Sequence, residues 1–261
     1  MRIFHGDAVL QIIELSDRVS LAYNDPQRLP EPSSLGGKAL GLLRLDTERF
    51  SIPRTLIVPA HLLVDASGAD LVILHRWVSE NSQGRTILRS SASQEDHPKS
   101  SRAGYYRSTT IPSNPSVDAL RRALLLIVNH LPHSSDAIRE SESAVIIQPY
   151  INAQWRGTLF TQTKAASACL VEVFKPKQDI PSATYSIASR FDGGDQVLAY
   201  SVIGDDALSA TQLRMLAVLS KRLDGLFAVG TDAEFVANRT ITVVQARSIT
   251  RAPHLIEGLE L

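Results

Sequence analysis

The sequence predicts an α+β protein of two lobes with a ligand cleft between them, and three observations carry that expectation. Helical and short strand-like segments alternate through the first half; apolar, β-branched strands dominate from Ala144; a helix and a two-stranded hairpin close the pattern. The lobes divide into residues 1–143 and 144–261, and a cleft between such lobes is the usual place for a small ligand. Size agrees: 261 residues suffice for two lobes, and 44% apolar with 21% charged residues is an ordinary globular mixture.

Taken in order, residues 25–34, "DPQRLPEPSS", read as a linker or lip because proline and serine interrupt any periodicity. A helix begins near Gly37, where Leu35, Ala39, Leu42, Leu43 and Leu45 recur at helical spacing. Pro53 opens a short strand over 56–58, and Pro59 starts the next helix. Residues 68–80 read as helix and 86–88 as the strand that delivers Arg89. Residues 116–130 form a helix with Ser116 as its N-cap. In the second half "AVIIQPYI", "GTLFTQ" and "ACLVEVF" are strands. A helix follows over 209–224, with Leu213, Leu216, Leu219 and Leu223 on one stripe. Then "DAEFVANRTITVVQARSIT" reads as two alternating strands turning at Asn238 and Arg239.

The charge balance narrows the function. Lys and Arg total 27, as do Asp and Glu, so no net field favours nucleic acid or an anionic membrane, and neither is expected as a partner. Cys169, the one cysteine, lies in an apolar run and reads as a small core residue. Seven scattered histidines show no zinc spacing. Asp7, Glu14 and Asp17 break the N-terminal apolar stretch as no signal peptide would, so a reducing cytoplasm is the expected location.

Four separated stretches point to an anion and a hard cation. "LGGKALGLL" sets two glycines before a helix, freeing backbone N–H groups for close approach of an anion, with Lys38 in the first turn. "TILRSSASQEDHPKSSRAGYY" ends an apolar strand on Arg89, then runs into serine and glycine: either a solvated loop, or a fixed guanidinium beside backbone donors that wrap phosphate. "VIIQPYINA" ends a strand at Gln148 before a proline, as a hinge whose backbone reads an adenine edge would. In the hairpin, alternation puts Asp232 and Glu234 on one face, and Gln245 and Arg247 on one face of the partner strand. Oxygen donors of that kind suit Mg²⁺, with surface cross-strand ion pairs as the alternative.

In order and content these pieces resemble the nucleotide-binding domain of the phosphoenolpyruvate synthase and pyruvate phosphate dikinase family, an ATP-grasp fold also found in rifampin phosphotransferase. The resemblance runs from about Leu35 to Thr250. It rests on Gly36-Gly37-Lys38, Pro53, Arg89-Ser90-Ser91-Ala92 with Glu95-Asp96, Ala103-Gly104, Gln148, Gly157 to Thr161, Asp232 with Glu234, and Gln245-Ala246-Arg247-Ser248-Ile249-Thr250.

The resemblance implies a nucleotide in the cleft between the lobes, with ATP and Mg²⁺ as cofactors. Lys38 and Arg89 would neutralise phosphates under a covering loop holding Gly104 and Ser108. Gln148, Tyr150 and Ile151 would line the adenine hinge. Glu234 and Gln245 would hold Mg²⁺ with Asp232 nearby. Arg247 would stabilise the transferring group, and Arg89, Arg247 and Lys38 would form the catalytic set.

Departures accompany the match. Tyr105-Tyr106-Arg107-Ser108 stands where the family has Gln-Gln-Glu/Asp-Thr, and Ser248 replaces a proline. The Trp-Gly-Leu-Gly-Glu segment has no counterpart, so the stretch from Thr161 to Leu208 reads as compressed, and the spacing from Glu234 to Gln245 is one residue short. Eleven residues follow Thr250, too few for the family's histidine carrier and acceptor domains. The expected activity is therefore ATP-dependent phosphotransfer, either to a small-molecule acceptor or through a separate protein bearing the histidine carrier. The alternatives are an ATP-grasp carboxylate-amine ligase working through an acyl phosphate, and a nucleotide-binding scaffold without turnover.

Overall fold

The computed structural model describes residues 2–3, 13–15, 35–92, 108–131, 143–161, 168–192, 195–205, 207–227 and 230–249. The linker expected at 25–34, the acidic pair Glu95-Asp96, Gly104 with its loop to Tyr106, and Thr250 lie outside these residues. The chain divides into two compact units, Met1–Tyr150 and Ile151–Leu261, each built on a six-stranded antiparallel sheet with helices, so the fold is α+β.

The first unit runs β1 (Arg2–Ile3), β2 (Ile13–Leu15), α1 (Gly36–Thr47), β3 (Thr55–Pro59), α2 (Ala60–Val64), α3 (Gly68–Asn81), β4 (Arg85–Ala92), β5 (Ser108–Pro112), α4 (Val117–Val128) and β6 (Ser143–Pro149). Its strand order is β1-β2-β3-β6-β4-β5. β6, which the sequence reading assigns to the second lobe from residue 144, is a central strand here, paired with β3 through Ile57↔Ile146 and with β4 through Arg89↔Ile146. Sequence order alone cannot reveal that pairing. The missed strand β5 pairs with β4 and sets Ser108 directly opposite Arg89.

Alternation sorts the first sheet's two faces. Leu56, Val58, Leu88, Val145 and Ile147 point into a core closed by Leu74 and Trp77 of α3 and by Leu120, Leu124 and Ile127 of α4. Each such buried side chain contributes roughly 1.5–3 kcal/mol. Ser67 and Asp70 form a capping box on α3, and Ser116, the expected N-cap of α4, accepts through Oγ from Ala119 N. α1 packs against β4 and β6.

The second unit runs β7 (Trp155–Phe160), β8 (Ala168–Phe174), β9 (Ala183–Asp192), β10 (Asp195–Gly204), α5 (Ala210–Asp224), β11 (Thr231–Ala237) and β12 (Ile241–Ser248), with strand order β10-β9-β8-β7-β11-β12. α5 begins at a Ser209/Gln212 capping box and ends with Lys221 and Arg222 in its last turn, as the helix dipole favours. The stretch read as compressed instead carries the long hairpin β9–β10, ten residues on each side. Its alanines, serines and threonine mute the period-two signal, although Ala183, Tyr185 and Ile187 are buried on one face. Among the described residues no helix is long and apolar enough to cross a membrane.

Candidate functional site

In the first unit the glycine-lysine turn and the arginine strand, 52 residues apart, meet. α1 has no side-chain cap of its own, because its N-cap is Leu35. A hydroxyl from β4 does that work: Ala39 N donates to Ser91 Oγ at 3.0 Å. Lys38 Nζ lies 3.4 Å from the Ser90 carbonyl oxygen. The approach is close enough to demand glycine. Gly36 has φ of 73°, and a Cβ there would fall 2.5 Å from Ala92 N and 2.6 Å from Ser91 C, both rigid backbone atoms. Lys38 thus lies against Ser90, the residue after Arg89 in β4, and Ser108 stands opposite Arg89 in the ladder. Two cations, a helix N-terminus and a hydroxyl are the ingredients of a polyphosphate site.

Gln148 lies near the end of β6 with its side chain inside the sheet. Its side chain is 1% exposed and donates through Nε2 to Thr55 Oγ1 at 2.9 Å, while Thr55 Oγ1 donates to the Pro53 carbonyl. The amide thus ties β6 to β3 inside the sheet. Its neighbour Tyr150 donates its backbone N–H to Arg85 O at 2.9 Å, and the half-exposed Tyr150 ring lies 6.0 Å from the Arg85 guanidinium carbon. Ile151 is half-buried at the start of the second unit.

In the second unit, register builds a polar face. Directly opposed residues share a sheet face, so the pairs Gln245↔Glu234, Glu234↔Thr158 and Thr158↔Glu172 form one row across β12, β11, β7 and β8. The adjacent row on the same face holds Arg247↔Asp232, Asp232↔Phe160 and Phe160↔Leu170. The other face, with Leu159, Val171, Tyr185, Ala233 and Phe235 buried, packs against α5. The register shifts after Glu234, where Phe235 opposes Val243, so a β-bulge leaves Val244 as the extra residue on β12.

Arg247 and Asp232 form an ion pair: Nε and Nη2 of the arginine lie 2.9 and 2.8 Å from Asp232 Oδ2. Glu234 and the buried Gln245 amide oppose each other beside it. No cluster of three or more His, Cys, Asp or Glu side chains suited to a metal occurs among the described residues. One carboxylate and one amide oxygen nevertheless fit Mg²⁺, which takes few protein ligands and fills its shell with water and phosphate.

The sequence reading missed Glu172. Burial, and secondarily the charge of Asp232, pushes its carboxyl above the usual range. The available signal was a single acid inside the apolar run "ACLVEVF". Gly157 also has a physical reason that the sequence hides: a Cβ there would lie 2.3 Å from Phe235 Cζ and 2.6 Å from Glu172 O, so the ring across the ladder occupies that space. Cys169 is buried, its thiol pushed up to about 11 by desolvation, which makes it an inert core residue.

No family model and no curated protein matches the sequence. Solved structures do match in chain trace. Carboxyaminoimidazole ribonucleotide synthase from Aspergillus clavatus, complexed with ATP, is similar at 10% identity and a TM-score of 0.48, over 85% of this chain and 47% of that one. D-alanine–D-alanine ligase from Bacillus anthracis is similar at 12% identity and 0.43, over 82% and 56%. The ATP-grasp ligase PsnB, complexed with a minimal precursor, is similar at 14% and 0.39, over 91% and 57%. The chain spans about half the length of these proteins. At such identities and scores the likeness carries no activity from them to this chain.

Proposed function

We propose that the chain is an ATP-grasp unit that binds ATP with Mg²⁺ and transfers a phosphoryl group from it to an acceptor. The observation that carries this reading is the docking of Gly36-Gly37-Lys38 onto the end of the Arg89 strand. That contact sets Lys38 and the N-terminus of α1 against Ser90 and Ser91, which follow Arg89 in β4, and the two motifs are 52 residues apart in sequence.

Lys38 and Arg89 would neutralise phosphate charge, with Ser108 donating a hydroxyl. Glu234 and Gln245 would hold Mg²⁺, and Arg247 would aim a planar fork at the group in transfer. Mg²⁺, when bound, would shield the phosphates and orient the terminal one. Such a transfer asks for positioning and charge rather than covalent chemistry from the protein. Gln148 acts by holding β6 in register, which leaves hinge recognition to the main chain near Tyr150 and Ile151.

Two acceptor classes fit this nucleotide site and differ in the bond broken. A histidine that attacks the β-phosphorus would release AMP and then lose phosphate from its pyrophosphoryl group to water, whereas a carboxylate that attacks the γ-phosphorus would release ADP. A carrier histidine on a separate protein follows from the sequence resemblance to phosphoenolpyruvate synthase. A carboxylate, activated as an acyl phosphate before an amine attacks, is the chemistry of the carboxylate-amine ligase alternative.

The test is a thermal melt and calorimetric titration with Mg·ATP, followed by assay of ADP, AMP and phosphate. Saturating ligand raises the melting temperature by mass action on a site that only the folded chain has. ADP release that requires both a carboxylate and an amine assigns the ligase chemistry. AMP and phosphate release with a histidine carrier assigns the dikinase chemistry. A melting curve unmoved by Mg·ATP, with no heat of binding, removes the nucleotide reading.

A further inference from the structure

The sequence sets Asp232 beside the metal, but its carboxylate is engaged elsewhere. Asp232 and Arg247 are directly opposed in the β11–β12 ladder, so the hairpin register itself brings them together. Both Nε and Nη2 of the guanidinium converge on one oxygen, Oδ2, at 2.9 and 2.8 Å. The aspartate side chain is 12% exposed and the arginine 32%, so the pair is only partly screened by water. Held along its Nε edge, the planar guanidinium has its orientation fixed, and its Nη1 edge is set relative to the sheet face that carries Glu234 and Gln245. A cation drawn to Oδ2 would have to share that oxygen with two N–H donors of a positive group, an unfavourable arrangement. Glu234 and Gln245 oppose each other in the next row of the same face, and on the nucleotide reading their oxygens are the donors for Mg²⁺.

We propose that Asp232 is a positioning residue for Arg247 and not a metal ligand. This rests on the nucleotide reading above. Its role is to hold the fork in the orientation that meets the transferring phosphoryl group, so that no side-chain freedom remains to be lost in the transition state.

The experiment uses the full chain and four proteins: the parent, Asp232→Asn, Arg247→Lys and the double variant. Calorimetry gives Mg²⁺ and ATP affinity without turnover, and steady-state assay gives kcat. Asp232→Asn should lower kcat by about tenfold or more, with Mg²⁺ half-saturation and Mg·ATP affinity held within about twofold. In the Arg247→Lys background it should add less than about twofold, because the fork it positions is already gone. Asp232→Glu, which keeps the charge, supplies the same comparison if the asparagine variant melts early; here too kcat falls while Mg²⁺ affinity holds. A tenfold or greater weakening of Mg²⁺ binding, or losses that multiply in the double variant, overturns the assignment while leaving the nucleotide site standing. A parent protein that binds no Mg·ATP overturns both.

Discussion

Replacing Gly36 by alanine tests the contact on which the first-unit site depends. Two costs arise at once. The residue has φ of 73°, a left-handed conformation that costs an alanine about 1–2 kcal/mol. The added Cβ would lie 2.5 Å from Ala92 N, 2.6 Å from Ser91 C and 2.7 Å from Ala92 Cα. Ordinary carbon contacts sit near 3.5–4.0 Å, so the helix start must retreat by about an ångström, and no flexible side chain can yield instead. That retreat stretches the Ala39 N to Ser91 Oγ bond, now 3.0 Å, which caps α1. Losing a cap costs about 0.5–2 kcal/mol. The sum is a loss of about 1.5–4 kcal/mol, and a unit of this size loses about 2–4 °C in melting temperature for each kcal/mol. Urea denaturation reads the stability, and a Mg·ATP titration reads the site. Binding should weaken beyond what the stability loss explains, because Lys38 moves away from Ser90 and the Arg89 strand. Gly68→Ala is the control: nothing lies within 4 Å of its Cβ and its φ is unremarkable, so it should be neutral or slightly stabilising. If Gly36→Ala shows the parent's urea midpoint and nucleotide shift, the docking of α1 on β4 is wrong as described.

Three further substitutions probe the second unit. Glu234→Gln should cut turnover on the order of a hundredfold while changing nucleotide affinity far less, since a metal's charge matters most where charge builds in the transition state; equal losses in affinity and kcat would make Glu234 structural. Arg247→Lys should lower phosphotransfer on the order of a hundredfold, with stability changed by less than about 1 kcal/mol, because lysine cannot reproduce the fork. Parent-like ATP turnover in the lysine variant would remove Arg247 from the site. Glu172→Gln should raise the melting temperature near neutral pH. The folded chain holds the Glu172 proton more tightly than the unfolded chain, so stability is lost as pH rises through the raised folded value. The advantage of the glutamine variant should therefore shrink on acidification and vanish below the ordinary carboxylate range; a constant difference between pH 4 and 8 would contradict the burial of this carboxyl.

Local periodicity made much of the fold legible. The α1, α4 and α5 helices follow from apolar spacing, and Ser116 marks the start of α4 through cap chemistry that acts within four residues. The hairpin was readable because side chains alternate in strands: Asp232 with Glu234, and Gln245 with Arg247, share their faces whatever the rest of the chain does. The β9–β10 hairpin was not readable, because small polar residues fill its partly buried positions and flatten the alternation.

The sequence by itself determined which residue types reach each face of each element: the cation in the first turn of α1, the arginine of β4, and the acids and amide of the last hairpin. Only the tertiary structure decided what stands opposite them. Long-range register drew Glu172 into the row of Glu234 through Thr158, put Ser108 across from Arg89, and placed β6 in the first sheet, where Gln148 bonds Thr55. It also gave Asp232 to Arg247 and placed the Phe235 ring where Gly157 has no side chain. The physical reason is range. Propensity, capping and alternation act over a few residues and leave their trace in the local string. The partners across strands lie from 15 residues apart, as with Asp232 and Arg247, to 93 apart, as with Thr55 and Gln148, and their choice depends on how the whole sheet packs.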